Sequence, residues 1–359
     1  MRLALALTLL LAACGDGHHA KPDAPSMITI DAPADVAIDA PIDANPYMPA
    51  TLFDTGLCVD RACTQINAGI STYTPRFPLW ADAASKHRWM QLPPGGKIDT
   101  TDPDHWVFPV GTKFWKEFTA KDTGGNDVRV ETRFIWRIAN NGVPNDWFYV
   151  AYQWNTTQDD TVSVPFGQPD ADGTTHDIPN RIQCLTCHGN LPQSFILGFG
   201  AIQLDGPAAT GDVAIDQIAA NGWLTQNPPG ASAPHYPLPG TGTTAQDAIG
   251  YLHANCGHCH NPTSKVYTDQ AVTMELRLTT TSLSSLSTTP VYQTAVDHDA
   301  TMPINTLTKL IVHGQPDQSI LMFRFESDPT SSFHMPKLGS EVTDTAEDAV
   351  LRDWITNIQ

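Results

Sequence analysis

Basic side chains are scarce in this chain. Its 20 lysines and arginines stand against 38 aspartates and glutamates, a formal charge of −18 at pH 7. Nucleic-acid binding needs a basic face for the phosphates, so that class is set aside and no nucleic-acid partner is expected. An acidic surface serves solubility, and it equally steers a basic protein partner. Long apolar runs are also missing. The run Leu3 to Leu11 is well short of the roughly 20 residues of a membrane span, and no other segment qualifies. Cysteine is limited to seven positions in 359 residues. No nucleophile stands beside a base in a recognisable pattern, so no catalytic residue is assigned.

What is present is concentrated in those cysteines. Cys184-Leu185-Thr186-Cys187-His188 and Cys256-Gly257-His258-Cys259-His260 are two complete C-x-x-C-H motifs. A bare C-x-x-C is shared by redox and zinc sites, but the adjacent histidine in both copies points to covalent heme c. The two thiols add to the heme vinyl groups and the histidine ligates the iron. Two heme c groups are therefore expected, on Cys184, Cys187 and His188 and on Cys256, Cys259 and His260. A zinc site would have to join Cys187 to Cys256 across far more than the ~15–20 residues of a zinc ribbon. Cys58 and Cys63 are near enough to close a small disulfide loop in an oxidising compartment, with free thiols as the alternative.

Residues 1–14 read as an export signal, with one charge at Arg2, the apolar run, and small residues before Cys14. Leu11-Ala12-Ala13-Cys14 resembles a bacterial lipobox, which makes Cys14 the lipidation site. An exported protein anchored by lipid is expected, on the outer membrane facing the periplasm or the cell surface. Residues 15–50 follow as a tether in which Asp23-Ala24-Pro25, Asp31-Ala32-Pro33 and Asp39-Ala40-Pro41 recur. Such a segment buries too little apolar area to offset its ordering entropy.

Seven of the nine tryptophans fall between Trp80 and Trp154. Apolar and polar residues alternate from Val128 to Trp136, a turn follows over Asn140 to Asp146, and Trp147 to Trp154 reads as a second strand. Strands are also expected over His87 to Leu92, His105 to Val110 and Lys113 to Phe118. Residues 65–175 are thus expected to form an antiparallel β domain. The first heme segment, 176–242, shows one helical stretch, Asp212 to Asn221, stopped at Gly222. The second, 243–359, opens with a helix capped by Thr244 with Asp247 and ends on the apolar stripe Val350, Leu351, Trp354, Ile355 and Ile358. The expected fold is therefore α+β, with an N-terminal antiparallel β domain followed by two mainly helical, cytochrome c-like heme segments.

From about Pro75 onward the chain resembles a family of bacterial diheme c-type cytochromes with an N-terminal β domain. The stretches that carry it include Phe77-Pro78-Leu79-Trp80-Ala81-Asp82, Tyr152-Gln153-Trp154-Asn155 and Tyr251-Leu252-His253-Ala254-Asn255 before the second motif. The tail, with Gly314-Gln315-Pro316-Asp317 and Met335-Pro336, is similar to class I cytochrome c domains. This resemblance implies Met335 as the second iron ligand beside His260, with Met302, also followed by proline, as competitor. No methionine lies between His188 and Cys256. The first iron must then draw on Met302, Met90, His176 or His235, or stay five-coordinate. The function implied is single-electron transfer with a redox protein partner. The alternatives are a peroxidase-like enzyme with an open first heme, and an electron outlet for a dehydrogenase docked on the β domain.

Overall fold

Strict alternation of large apolar side chains, first on one side and then the other, builds the centre of the molecule. A computed structural model describes residues 47–191, 194–240, 242–270 and 272–358. The expected signal, the Cys14 lipidation site and the tether up to residue 46 lie outside them. Six strands, β1 (Ser71–Thr72), β2 (Ser85–Gln91), β3 (Lys113–Lys121), β4 (Asp127–Arg137), β5 (Trp147–Trp154) and β6 (Thr161–Ser163), form one antiparallel sheet in chain order.

Period-two geometry sends neighbouring residues to opposite faces. Trp89, Trp115, Phe134, Phe148 and Tyr152 share one face, and Trp115 stacks on Phe134 with ring centroids 5.6 Å apart. Leu52, Leu57 and Cys58 cover it, and Trp115 Nε1 donates to Thr55 Oγ1 at 2.9 Å. Cys58 and Cys63 form a disulfide in this cover. Met90, Phe114, Trp147 and Tyr149 point the other way, under Phe195, Phe199 and Leu204. Both faces are therefore buried.

The turn before β5 is fixed by Asp146, whose carboxylate accepts N–H bonds from Asn141, Gly142 and Val143 at 2.6, 2.7 and 3.2 Å. Residues 105–110 depart from expectation. They make a single bridge, Val107 to Asp99, rather than a strand. Pro109 lacks the N–H a ladder needs. Trp106 and Phe108 are instead pressed onto the sheet face beside Phe199.

The expected pair of mainly helical, cytochrome c-like segments is not what forms. Eight short helices occur among the described residues: α1 (Arg181–His188), α2 (Ala201–Leu204), α3 (Ile215–Ala220), α4 (Thr243–Asn255), α5 (Lys265–Gln270), α6 (Pro290–Thr294), α7 (Ile320–Glu326) and α8 (Thr345–Thr356). The longest, α4, has 13 residues. Prolines 207, 228, 229, 234, 237 and 239 prevent long helices after α2. The chain there closes over the sheet and shares its core through Ile215, Ile218 and Leu224. After α6 it runs into a hairpin, β7 (Asp299–Ile304) and β8 (Leu307–Lys309).

Helix α4 begins at Thr243 after Gly242 without a side-chain cap, so Thr244, expected as the cap, lies inside the helix's first turn instead. Its buried face, Ala248, Ile249 and Leu252, packs with Leu351, Trp354 and Ile355 of α8. Asp344 caps α8 by accepting the Glu347 N–H at 3.2 Å. No helix among the described residues is long and apolar enough to cross a membrane.

Candidate heme attachment site

Helix α1 carries the whole first motif. Asn180 and Gln183 cap it reciprocally, each side-chain oxygen accepting the other's backbone N–H at 2.9 Å. Cys184 and Cys187, three residues apart on a helix, share one face. His188 follows, half-buried against the Tyr149 ring at 5.1 Å between centroids. Its Nδ1 lies 2.7 Å from the Phe195 carbonyl oxygen, which can only accept, so Nδ1 holds the proton. Nε2 is left with a bare lone pair. Burial pushes the imidazole pKa down to about 4, so the ring is neutral at pH 7, the form a metal requires.

The second motif begins where α4 ends. Cys259 and His260 donate their N–H groups to the Cys256 carbonyl at 3.0 and 2.8 Å, which folds the five residues into one turn. Asn261 locks it by donating to the Gly257 and His258 carbonyls at 2.9 and 3.1 Å. Gly257 is required by space, since a Cβ there would meet the His253 carbonyl oxygen at 2.6 Å and Arg277 Cα at 2.8 Å. Burial also pushes the pKa of His260 down to about 4, and its Nδ1 is buried without a hydrogen-bond partner.

The fold brings the two motifs side by side, although 68 residues separate Cys187 from Cys256. Thr263 donates to the Asn190 carbonyl at 3.0 Å, tying the residues after one motif to those after the other. Cys259 feels Cys187, and all four motif thiols are unpaired and half-buried. Burial raises their pKa values, to about 11 at Cys184 and about 12 at Cys256 and Cys259, so they stand as neutral thiols. Four free thiols and two neutral imidazoles, in the order that covalent heme needs, fit that group. A cavity of about 50 Å³ beside them, lined by Trp106, Phe199, His253 and His258, has room for a water or two and not for a porphyrin.

Among the described residues no group of three or more His, Cys, Asp or Glu side chains is placed to hold a metal ion. Met335 donates its N–H to the Arg324 carbonyl at 3.0 Å, and Arg324 is close enough to His260 to act on its pKa. Met302 is 53 % exposed on β7.

The histidines considered for the first iron are otherwise engaged. His176 Nε2 is 2.7 Å from Glu131 Oε1. Both ring nitrogens of His235 are in use, with Pro229 O at 2.7 Å and Asp216 Oδ1 at 2.8 Å. Met90 is sealed in the sheet core. Sequence reasoning missed His258, which is buried with Nδ1 unpartnered and lies near enough to His188 and His260 to lower both pKa values. Its place as a filler position inside the second motif hid it.

No family model, no curated protein and no solved structure matches this chain.

Proposed function

We propose that this chain is an exported diheme c-type cytochrome of the kind its motifs resemble, and that it passes single electrons to or from a protein partner. The observation that carries the reading is the convergence of two complete C-x-x-C-H motifs at one place, each with a half-buried, neutral histidine. Covalently bound heme supplies an iron that cycles between two oxidation states. Cys184 with Cys187, and Cys256 with Cys259, hold the two groups. His188 and His260 present a ring nitrogen to each iron, with His188 oriented by the Phe195 carbonyl. Met335 is the proposed second ligand beside His260, and Met302 is its lesser rival. Adjacent attachment points suit transfer between the two groups. Lipidation at Cys14 would hold the protein to the outer membrane, on the periplasmic side or the cell surface.

The test is the purified protein made with a c-type heme maturation system. Pyridine hemochrome and intact mass should give two hemes per chain, falling to one in Cys187→Ser and in Cys259→Ser. Absence of covalent heme sinks the proposal. Absorption and magnetic circular dichroism should show two low-spin signals, with the near-infrared methionine–iron band lost in Met335→Ala.

The engagement of His176 and His235 favours a second reading, in which the first iron is open and turns over peroxide or a small oxidant. One high-spin signal with rapid peroxide consumption would make that reading the better one.

A further inference from the structure

The cavity of about 50 Å³ beside the two motifs is lined by polar groups that the chain itself leaves without partners. Trp106 is 2 % exposed, and its Nε1 has no acceptor. His258 is 8 % exposed, and its Nδ1 is equally unpartnered. Buried polar groups normally find a partner, so two orphans on one small cavity point to a guest.

Hydrogen-bond roles decide what that guest must offer. An indole N–H can only donate. His253 Nδ1 accepts the Leu278 N–H at 3.0 Å, so the ring proton sits on Nε2, and that nitrogen donates too. Arg277, also in the lining, gives one N–H to the Asp104 carbonyl at 2.6 Å and forms no ion pair among the described residues. The carboxylates that act on it from further off are engaged elsewhere. Asp104 accepts the Thr280 N–H at 2.8 Å, and Asp102 holds His105 at 2.9 Å. Against these donors stands one acceptor. His258 bonds the Ala254 carbonyl through its other nitrogen, which leaves the lone pair on Nδ1.

Donors therefore outnumber acceptors, and one of them carries a permanent positive charge. Two waters would bring four hydrogens of their own to a lining already rich in them. A chloride ion only accepts, balances the charge of Arg277, and is little larger than a water. We propose that this cavity is a chloride site, with the ion held by Trp106 Nε1, His253 Nε2 and Arg277. One water beside it donates a hydrogen to the ion and the other to His258 Nδ1, so every group named is satisfied. Trp106 comes from the segment pressed onto the sheet, and His253 and His258 come from α4 and the second motif. The ion thus ties the sheet to the second motif. Nothing in this site depends on heme, so it stands or falls apart from the cytochrome reading.

The experiment is a sodium chloride titration of the full chain at constant ionic strength. Sodium gluconate, whose anion is too large to enter, makes up the balance. The readout is the set of indole N–H peaks in a proton–nitrogen correlation spectrum of protein carrying isotope-labelled tryptophan, with Trp106→Phe assigning one peak. The Trp106 peak should move and saturate, while those of Trp136 and Trp147, also buried without partners, stay in place. Tm should rise along the same binding curve, because the ion binds only the folded chain. Arg277→Gln should weaken binding by roughly tenfold or more, the worth of one charge-assisted hydrogen bond. Arg277→Lys, which keeps the charge, should weaken it less. Should Trp106→Phe not fold, a single saturating indole peak that tracks Tm in the wild type carries the test. No saturating peak, a common drift of all indole peaks, or wild-type affinity in Arg277→Gln overturns the proposal and leaves water as the occupant.

Discussion

Gly250→Ala should destabilise the protein, although it improves a helix. An alanine Cβ at position 250 would lie 2.2, 2.4 and 2.5 Å from Cε1, Cδ1 and Cζ of Phe77, whereas carbon atoms rest at about 3.5–4.0 Å. The ring has little freedom to retreat. Phe77 is 9 % exposed, and its N–H donates to Gln203 Oε1 at 3.0 Å. Three residues on, Trp80 donates its N–H to Asn255 Oδ1 at 2.6 Å, while Asn255 Nδ2 donates to the Pro78 carbonyl at 3.3 Å. The segment is thus held at both ends. Overpacking of this kind costs about 1–3 kcal/mol, against about 1 kcal/mol gained by replacing glycine in a helix. The net expectation is a loss of up to about 2 kcal/mol. Guanidinium unfolding should show a lower midpoint with an unchanged slope. Phe77→Ala alone should cost about 3–5 kcal/mol through its cavity, and the double variant should lose less than the sum, because the cavity admits the methyl group. A Gly250→Ala protein that is more stable by the full helix-propensity gain would refute the close approach.

Further expectations concern charge and the disulfide. Burial and the nearby Asp344 and Asp247 raise the Glu347 pKa to about 7, so the folded state binds this proton more tightly than the unfolded one. Stability should therefore fall as pH rises from about 4.5 to 7, and Glu347→Gln should recover roughly 1 kcal/mol above pH 7 once solvent screening is allowed for. In the ion pair of Asp216 with His235, the hydrogen bond from His235 lowers the Asp216 pKa. His235 is pulled down by burial but raised overall by Asp216 and the Pro229 carbonyl. The pair's contribution is present above the ordinary Asp range and below the ordinary His range. It fades as pH rises through the raised His235 pKa or falls through the lowered Asp216 pKa, and Asp216→Asn should flatten both limbs of a Tm-against-pH curve. Replacing Cys58 and Cys63 by serine opens a loop of sequence separation 5, and the chain-entropy relation gives roughly 2 kcal/mol for so small a loop. A calorimetric Tm unchanged by that double substitution would count against the disulfide.

Local chemistry was legible and register was not. The strands β4 and β5 follow from alternation on either side of a turn rich in Asn, Gly and Pro, and the attachment motifs are contiguous. What failed was the step from a heme motif to a helical domain. A motif of five residues does not dictate its surroundings, and the prolines of 207–239 with the apolar demand of the sheet face decided otherwise. Likewise, His176 and His235 looked free because their carboxylate partners, Glu131 and Asp216, are brought to them by the fold.

Register sets Arg88, Lys116 and Arg133 opposite one another on β2, β3 and β4 in a cationic row, and so carries information that composition conceals. Arg88, Lys116 and Arg133 are ordinary strand residues when read singly, each next to an aromatic residue, Trp89, Trp115 and Phe134 respectively. A slip of one residue in any of the three strands would send one cation to the opposite face and dissolve the row. The slip does not occur because Trp89, Trp115 and Phe134 must reach one core while Met90, Phe114 and Ile135 reach the other. Apolar packing therefore sets the register, and the register lines up the cations beside the first attachment motif.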